Sequence, residues 1–179
     1  MSVKYKILDP EGVYFVSYAT TGWIDVFTRE TYCNIALESL AYCQEKKGLI
    51  LHAWCIMPSH IHLLASTKIP ENKLEKILQD TKKFTAREII KAIEENRLES
   101  RKEWMLKQFK QSGKAGINQF WQHDNHPIET YSNEIIQQKI DYIHNNPVEA
   151  GIVDEPWHYR YSSSRDYAGI KGLLKVEML

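Results

Sequence analysis

Two apolar runs separated by a single Pro58-Ser59 pair limit the fold of this chain more than any other feature: Leu49 to Met57 before the break and His60 to Ser66 after it. Each has the length and residue types of a strand, and so short a break implies an antiparallel hairpin. Pro-Ser is not a favoured two-residue turn pair, so the expected loop is slightly longer. Val13 to Thr20, dense in β-branched and aromatic residues, is a third strand candidate.

Helical periodicity fills the intervals. Thr28 reads as the N-cap of a helix in which Ile35, Leu37, Leu40 and Ala41 recur, closing at Lys46-Lys47-Gly48. Asn72 to about Glu95 carries Leu74, Ile77, Leu78, Phe84, Ile89, Ile90 and Ile93 at close to 3.6-residue spacing. Arg97 to Lys110 predicts a further helix, Gln111 to Gly116 a flexible linker, and Phe120 to His123 a short extended piece. Ser132 caps a last helix that runs to about Asn146 and is stopped by Pro147. The order predicts an α+β class: an antiparallel sheet with helices packed on one face, of the ferredoxin-like or palm type. Length supports one domain, 1–179, with a tail from about 152 to 179 wrapping its surface.

Lys plus Arg and Asp plus Glu both number 23, so net charge points to no partner, and nucleic acid would have to be met by a local patch. No run reaches the roughly 18 apolar residues of a membrane helix, and no apolar stretch follows the polar start Met1 to Lys6, so neither a membrane role nor a leader is expected. Cys33, Cys43 and Cys55 are odd in number and form no CxxC, which reads as buried thiols in a reducing cytoplasm.

The chemistry is concentrated in two short segments. His60-Ile61-His62 on a strand points two imidazoles to one face and the isoleucine to the other. Neutral imidazoles at that spacing suit a divalent transition metal, or Mg²⁺ helped by substrate oxygens, although an isolated HxH is more often a solvent-facing pair. In the last helix, Ile136, Ile140 and Ile143 form an apolar stripe, with Tyr142 at its edge and Asn146 one turn later on the same side as Tyr142. A tyrosine so placed could reach a metal, with Asn146 as a third ligand, or could simply bury its ring and leave its hydroxyl in water. There is neither a GxxxxGK[ST] loop nor a GxGxxG.

Taken together, Ala53 to Leu64, Phe120-Trp121-Gln122 and Asp141 to Gly151 resemble the Y1 transposases of the HUH superfamily. The branch associated with repetitive extragenic palindromes is the nearer likeness, and Tyr161 to Tyr167 resembles it too. The resemblance implies a metal-dependent enzyme that cuts and rejoins single-stranded DNA near a hairpin. His60 and His62 would hold one divalent ion, Mg²⁺ or Mn²⁺, with Asn146 in the third-ligand position. Tyr142 would be the nucleophile of a covalent 5′-phosphotyrosine. It implies a cytoplasmic, nucleoid-associated protein and leaves a homodimer open. Two other readings stay beside it. One is a host-adapted hairpin-binding protein without catalysis. The other is a two-histidine phosphoesterase, for which a second His-x-Thr/Ser motif is missing.

Among the many basic residues between 73 and 114, Lys82, Lys83 and Arg87 are the candidates for phosphate contact. The rest read as a salt-bridged solvated face. Lys139, three residues before Tyr142, reads as a solvated lysine. Trp104 and Trp121 could stack bases or pack in the core. His52 and His144 read as structural, and His123 and His126 beside Asp124 as a polar loop.

Overall fold

A computed structural model describes residues 7, 9–69, 71, 73–113, 118–123 and 127–179 of the chain. Met1 to Lys6, the helix start expected at Asn72, the linker residues Lys114 to Gly116, and Asp124 and His126 lie outside the described residues.

The chain runs β1 (Tyr14–Ala19), α1 (Glu30–Lys47), β2 (Leu49–Met57), β3 (His60–Thr67), α2 (Leu74–Glu95), α3 (Lys102–Ser112), β4 (Ile128–Glu129), α4 (Asn133–Glu149) and α5 (Ser164–Tyr167). The strands form one antiparallel sheet in the order β2-β3-β1-β4. This is the α+β architecture the hairpin implied. The hairpin is tighter than expected, because Met57 pairs directly with His60 across Pro58 and Ser59. Neighbouring loops supply what the turn sequence lacks. The Pro58 carbonyl accepts the Phe27 amide at 2.8 Å and the Ser59 carbonyl accepts the Thr20 amide at 2.9 Å.

Side-chain alternation divides the sheet into two faces. Tyr14, Val16, Tyr18, Leu51, Trp54, Ile56, Ile61, Leu63 and Ala65 pack with Ala36, Leu40, Ile77, Ile89 and Ile93 of α1 and α2. Phe15, Ala53, Cys55, Met57 and Leu64 pack with Ile140 and Ile143 of α4. Helices therefore cover both faces, and α4, with Tyr159 and Tyr167 of the tail beside it, packs on the face that carries His60 and His62.

Local chemistry moves several boundaries. Thr28 does not cap α1. Its hydroxyl donates to the Asp25 carbonyl (3.0 Å), and Arg29 occupies the cap position. Gly48 closes the helix at φ 78°, in the left-handed region where glycine is at ease. Helix α3 begins at Lys102, not Arg97. Asn96 and the buried Glu99 accept the backbone amides of Leu98 and Arg101 (3.0 and 3.2 Å), which competes with helix. Ser132 caps α4 as expected, accepting the Ile135 amide at 3.3 Å. The helix does not stop at Pro147, however. Proline there removes only the amide that would bond the Ile143 carbonyl, and the helix continues beyond it, the Ala150 amide reaching the Asn146 carbonyl at 3.0 Å.

The tail does more than wrap a surface: it pairs with the outer edge of β2. The Ile56 amide donates to Tyr161, the Ser163 amide to Trp54 and the Glu177 amide to Leu51, all at 2.9 Å. Ser162 and Ser163 are fully buried. The three cysteines are buried and free, as expected.

Candidate functional site

The histidine pair follows from the register. His62 lies opposite Ser17 of β1 and Cys55 of β2; His60 lies opposite Ala19 and Met57. Both rings project onto the α4 face, with centroids 4.6 Å apart. The α4 stripe of Ile140 and Ile143 seats the helix there, and this brings the Tyr142 ring to 5.2 Å from His62, edge on. Tyr142 remains 44% exposed. Asn146 reaches His60, where its amide favours the protonated ring against the larger effect of burial. Thus His60, His62, Tyr142 and Asn146, from a strand and a helix far apart in sequence, meet in one place.

The electrostatics fit metal ligation. His62 is 4% exposed, and neither of its ring nitrogens has a hydrogen-bond partner among the described residues. Burial, then the neighbouring His60 and the Lys139 charge, push its pKa down to about 3. Burial lowers His60 as well. Both imidazoles are therefore neutral at pH 7, with lone pairs available. Buried polar groups left unsatisfied are rare and costly, and a bound ion is one ordinary remedy. Two neutral imidazoles and an amide oxygen make a donor set for one divalent cation with positions left for substrate oxygens. Asn146, which reaches His60, is the residue that could complete this set; among the described residues no group of three or more His, Cys, Asp or Glu side chains could hold a metal.

Lys139 is not the solvated lysine expected from the sequence. Its ammonium sits 4.8 Å from the Phe15 ring centroid and 5.9 Å from that of Tyr142, close enough to act on His62. The i, i+3 spacing to Tyr142 was the available signal. Trp23 was missed in the sequence: its ring meets His60 edge on at 5.5 Å.

The phosphate-contact candidates lie elsewhere. Lys82 and Lys83 line a groove of about 540 Å³ with Gln79, Gln119, Trp121 and His123, on the sheet face opposite the histidines. Lys82 donates to the Gln122 carbonyl (3.1 Å) and lies over the Tyr18 ring, and burial lowers its pKa to about 8. Arg87 pairs with Glu88 at 2.7 Å. Trp121 belongs to the core, its indole N–H donating to Thr85 at 3.1 Å, whereas Trp104 is exposed. His52 and His144 are structural: His52 bridges the Glu177 carbonyl and the Ser66 hydroxyl, and His144 meets the Ser163 hydroxyl.

Fold and site together define an α+β protein with a paired-imidazole strand facing a tyrosine on a helix. In sequence, residues 24–106 match the family of IS200-like transposases, a segment that includes both site histidines and ends before Tyr142. In fold, the chain matches the REP-associated tyrosine transposase in its structure bound to a REP hairpin, with TM-score 0.67 and 16% identity over 99% of this chain and 92% of that one. A candidate transposase from Deinococcus radiodurans R1 gives TM-score 0.46 and 22% identity over 81% of this chain and 97% of that one. No curated protein sequence matches the chain. A likeness to IS200-like transposases is thus found again over residues 24–106, and the fold resembles that of the REP-associated tyrosine transposase. Among the described residues no helix is long and apolar enough to cross a membrane.

Proposed function

We propose that this chain is a metal-dependent single-stranded DNA nickase and strand transferase that acts beside DNA hairpins through a 5′-phosphotyrosine. The observation that carries the reading is buried, neutral His62, its two nitrogens without a partner among the described residues, between His60 and the ring of Tyr142. The hairpin comes from the REP-associated neighbour, which is bound to one.

His60, His62 and Asn146 would hold one Mg²⁺ or Mn²⁺, which when bound acts as a Lewis acid on the scissile phosphate and contributes several kcal/mol of transition-state stabilisation. The chain's own groups do the rest. The Tyr142 oxygen attacks phosphorus and the bond to the 3′-oxygen breaks. The phenol gives up one proton to solvent and the 3′-oxygen takes one up. The energy of the broken ester is kept in the phosphotyrosine, so attack by a 3′-hydroxyl rejoins the strand without a nucleotide cofactor. The Lys139 ammonium beside the Tyr142 ring would offset phosphate charge. Lys82, Lys83 and Arg87 would contact the backbone of the flanking DNA, positioning it without reading sequence.

The test is covalent capture. With Mg²⁺ or Mn²⁺, the protein should become attached to a hairpin-bearing single strand labelled on the 3′ side of the cut, as seen on a denaturing gel. Tyr142→Phe should remove the attachment while leaving hairpin affinity within about twofold, since only the attacking oxygen is lost. Labelling that survives in the Phe variant overturns the nucleophile assignment. Hairpin binding with no cleavage in any divalent ion would instead favour a host-adapted binding protein.

A further inference from the structure

Trp23 is out of place by the ordinary rules of folding. Its side chain is 59% exposed, although burial is what a tryptophan gains most from. Its φ is 55°, and among the described residues it is the one non-glycine residue with positive φ. Gly22 before it is also left-handed, at φ 63°, at no cost to a glycine. For tryptophan the same conformation is strained, and such strain gathers at functional sites.

The loop that imposes this conformation is firmly held. The Thr20 amide and hydroxyl both donate to the Ser59 carbonyl (2.9 and 3.0 Å), although the hydroxyl lies closer to the Ile24 carbonyl (2.7 Å). The Thr21 amide reaches Phe120 at 2.8 Å, and the Trp23 amide closes on Thr20 at 3.0 Å. Ser59 is the residue immediately before His60. The turn that aims the histidines therefore also aims the indole.

Four rings follow one another across the site: Trp23, His60, His62 and Tyr142, with successive centroid separations of 5.5, 4.6 and 5.2 Å. Displacement at phosphorus puts the entering and leaving oxygens in line on opposite sides. With the phosphate over the histidines and Tyr142 at one end of the row, the leaving 3′-oxygen faces the other end, where the indole is.

We infer that Trp23 is the stacking platform for the nucleotide that carries the leaving 3′-oxygen, and that it keeps the released end in place until the strand is rejoined. The inference rests on the nicking-and-rejoining reading above. Its chemistry is a base face on an indole face, which tolerates any base.

Trp23→Gly relieves the backbone and deletes the ring, so the variant folds; Trp23→Phe keeps an aromatic face. In the Tyr142→Phe background, Trp23→Gly should bind an eight-residue oligothymidylate about tenfold more weakly, as expected for one lost stack, and Trp23→Phe should recover most of that loss. With Tyr142 intact, Trp23→Gly should still form the covalent adduct, but the rejoined fraction should fall about tenfold as the released strand escapes. The length of that strand gives the cut position. An abasic site just 5′ of it should weaken binding to the parent by a similar factor and leave Trp23→Gly unaffected. If Trp23→Gly rejoins as well as the parent, or if the abasic site penalises both equally, the platform assignment fails while the nicking reading stands. If the parent forms no adduct in any divalent ion, both fail.

Discussion

A lysine one turn before a tyrosine can extend into water or fold back over the ring, and Lys139 folds back, onto Phe15 and Tyr142. If it stabilises developing charge, Lys139→Met should slow adduct formation about a hundredfold in single-turnover assays at saturating DNA, well beyond its effect on hairpin affinity. Lys139→Arg should retain most of the rate. Histidines elsewhere carry a pH signature. Burial lowers the pKa of His52 and takes that of His144 down to about 4. A base whose pKa is lower folded than unfolded contributes its full stability above 6.5. That contribution is lost as pH falls from there towards the folded value, because the unfolded chain takes up the proton first. Urea midpoints should therefore fall between pH 7 and pH 5, and His52→Gln should make the slope shallower by up to about 1.4 kcal/mol per pH unit. At this scale the sequence was informative wherever a period decides direction. Two-residue alternation paired His60 with His62, and four-residue spacing paired Tyr142 with Asn146. It put Lys139 in solvent, because its stem can turn either way, and was silent on Trp23, whose left-handed backbone is announced only by the glycine before it.

Elements were legible where their signals are local. The hairpin, the amphipathic α2 and the Ser132 cap all follow from patterns within a few residues. Gly48 is another such signal, and it can be tested: a Cβ there would come within 3.0 Å of the Ile69 side chain, at a φ that side chains avoid. Gly48→Ala should therefore cost about 1–3 kcal/mol, read as a lowered urea midpoint with an unchanged slope. Elements that depend on distant partners were not legible. β4 is two residues long and exists because β1 offers an edge. The start of α3 depends on the buried Glu99 carboxylate, which Arg29 reaches from the start of α1 at 3.2 Å. The tail's backbone pairing is defined only by β2, more than a hundred residues earlier.

The whole molecule carries equal numbers of opposite charges, so no long-range field gathers nucleic acid. Affinity must come from a few local cations, of which Lys82, Lys83, Arg87 and Lys139 are the candidates. Four phosphate contacts to a single strand predict a slope of log affinity against log salt of about −3. Fluorescence anisotropy with a labelled hairpin strand should show it, and each lysine replaced should make the slope shallower by about 0.7. The sheet's two faces do different work: one holds the packed α1–α2 layer with the basic groove, the other the tyrosine helix. That division could not be read from composition, which averages over both.

The two-residue turn at Pro58-Ser59 makes the site depend on parity. One extra residue there would rotate every following side chain of β3 to the opposite face, carrying both imidazoles into the apolar layer and Ile61 and Leu63 out of it. Two extra residues would restore the alternation but move the Ser59 carbonyl away from Thr20. Over evolutionary time this bend should admit substitutions far more readily than insertions.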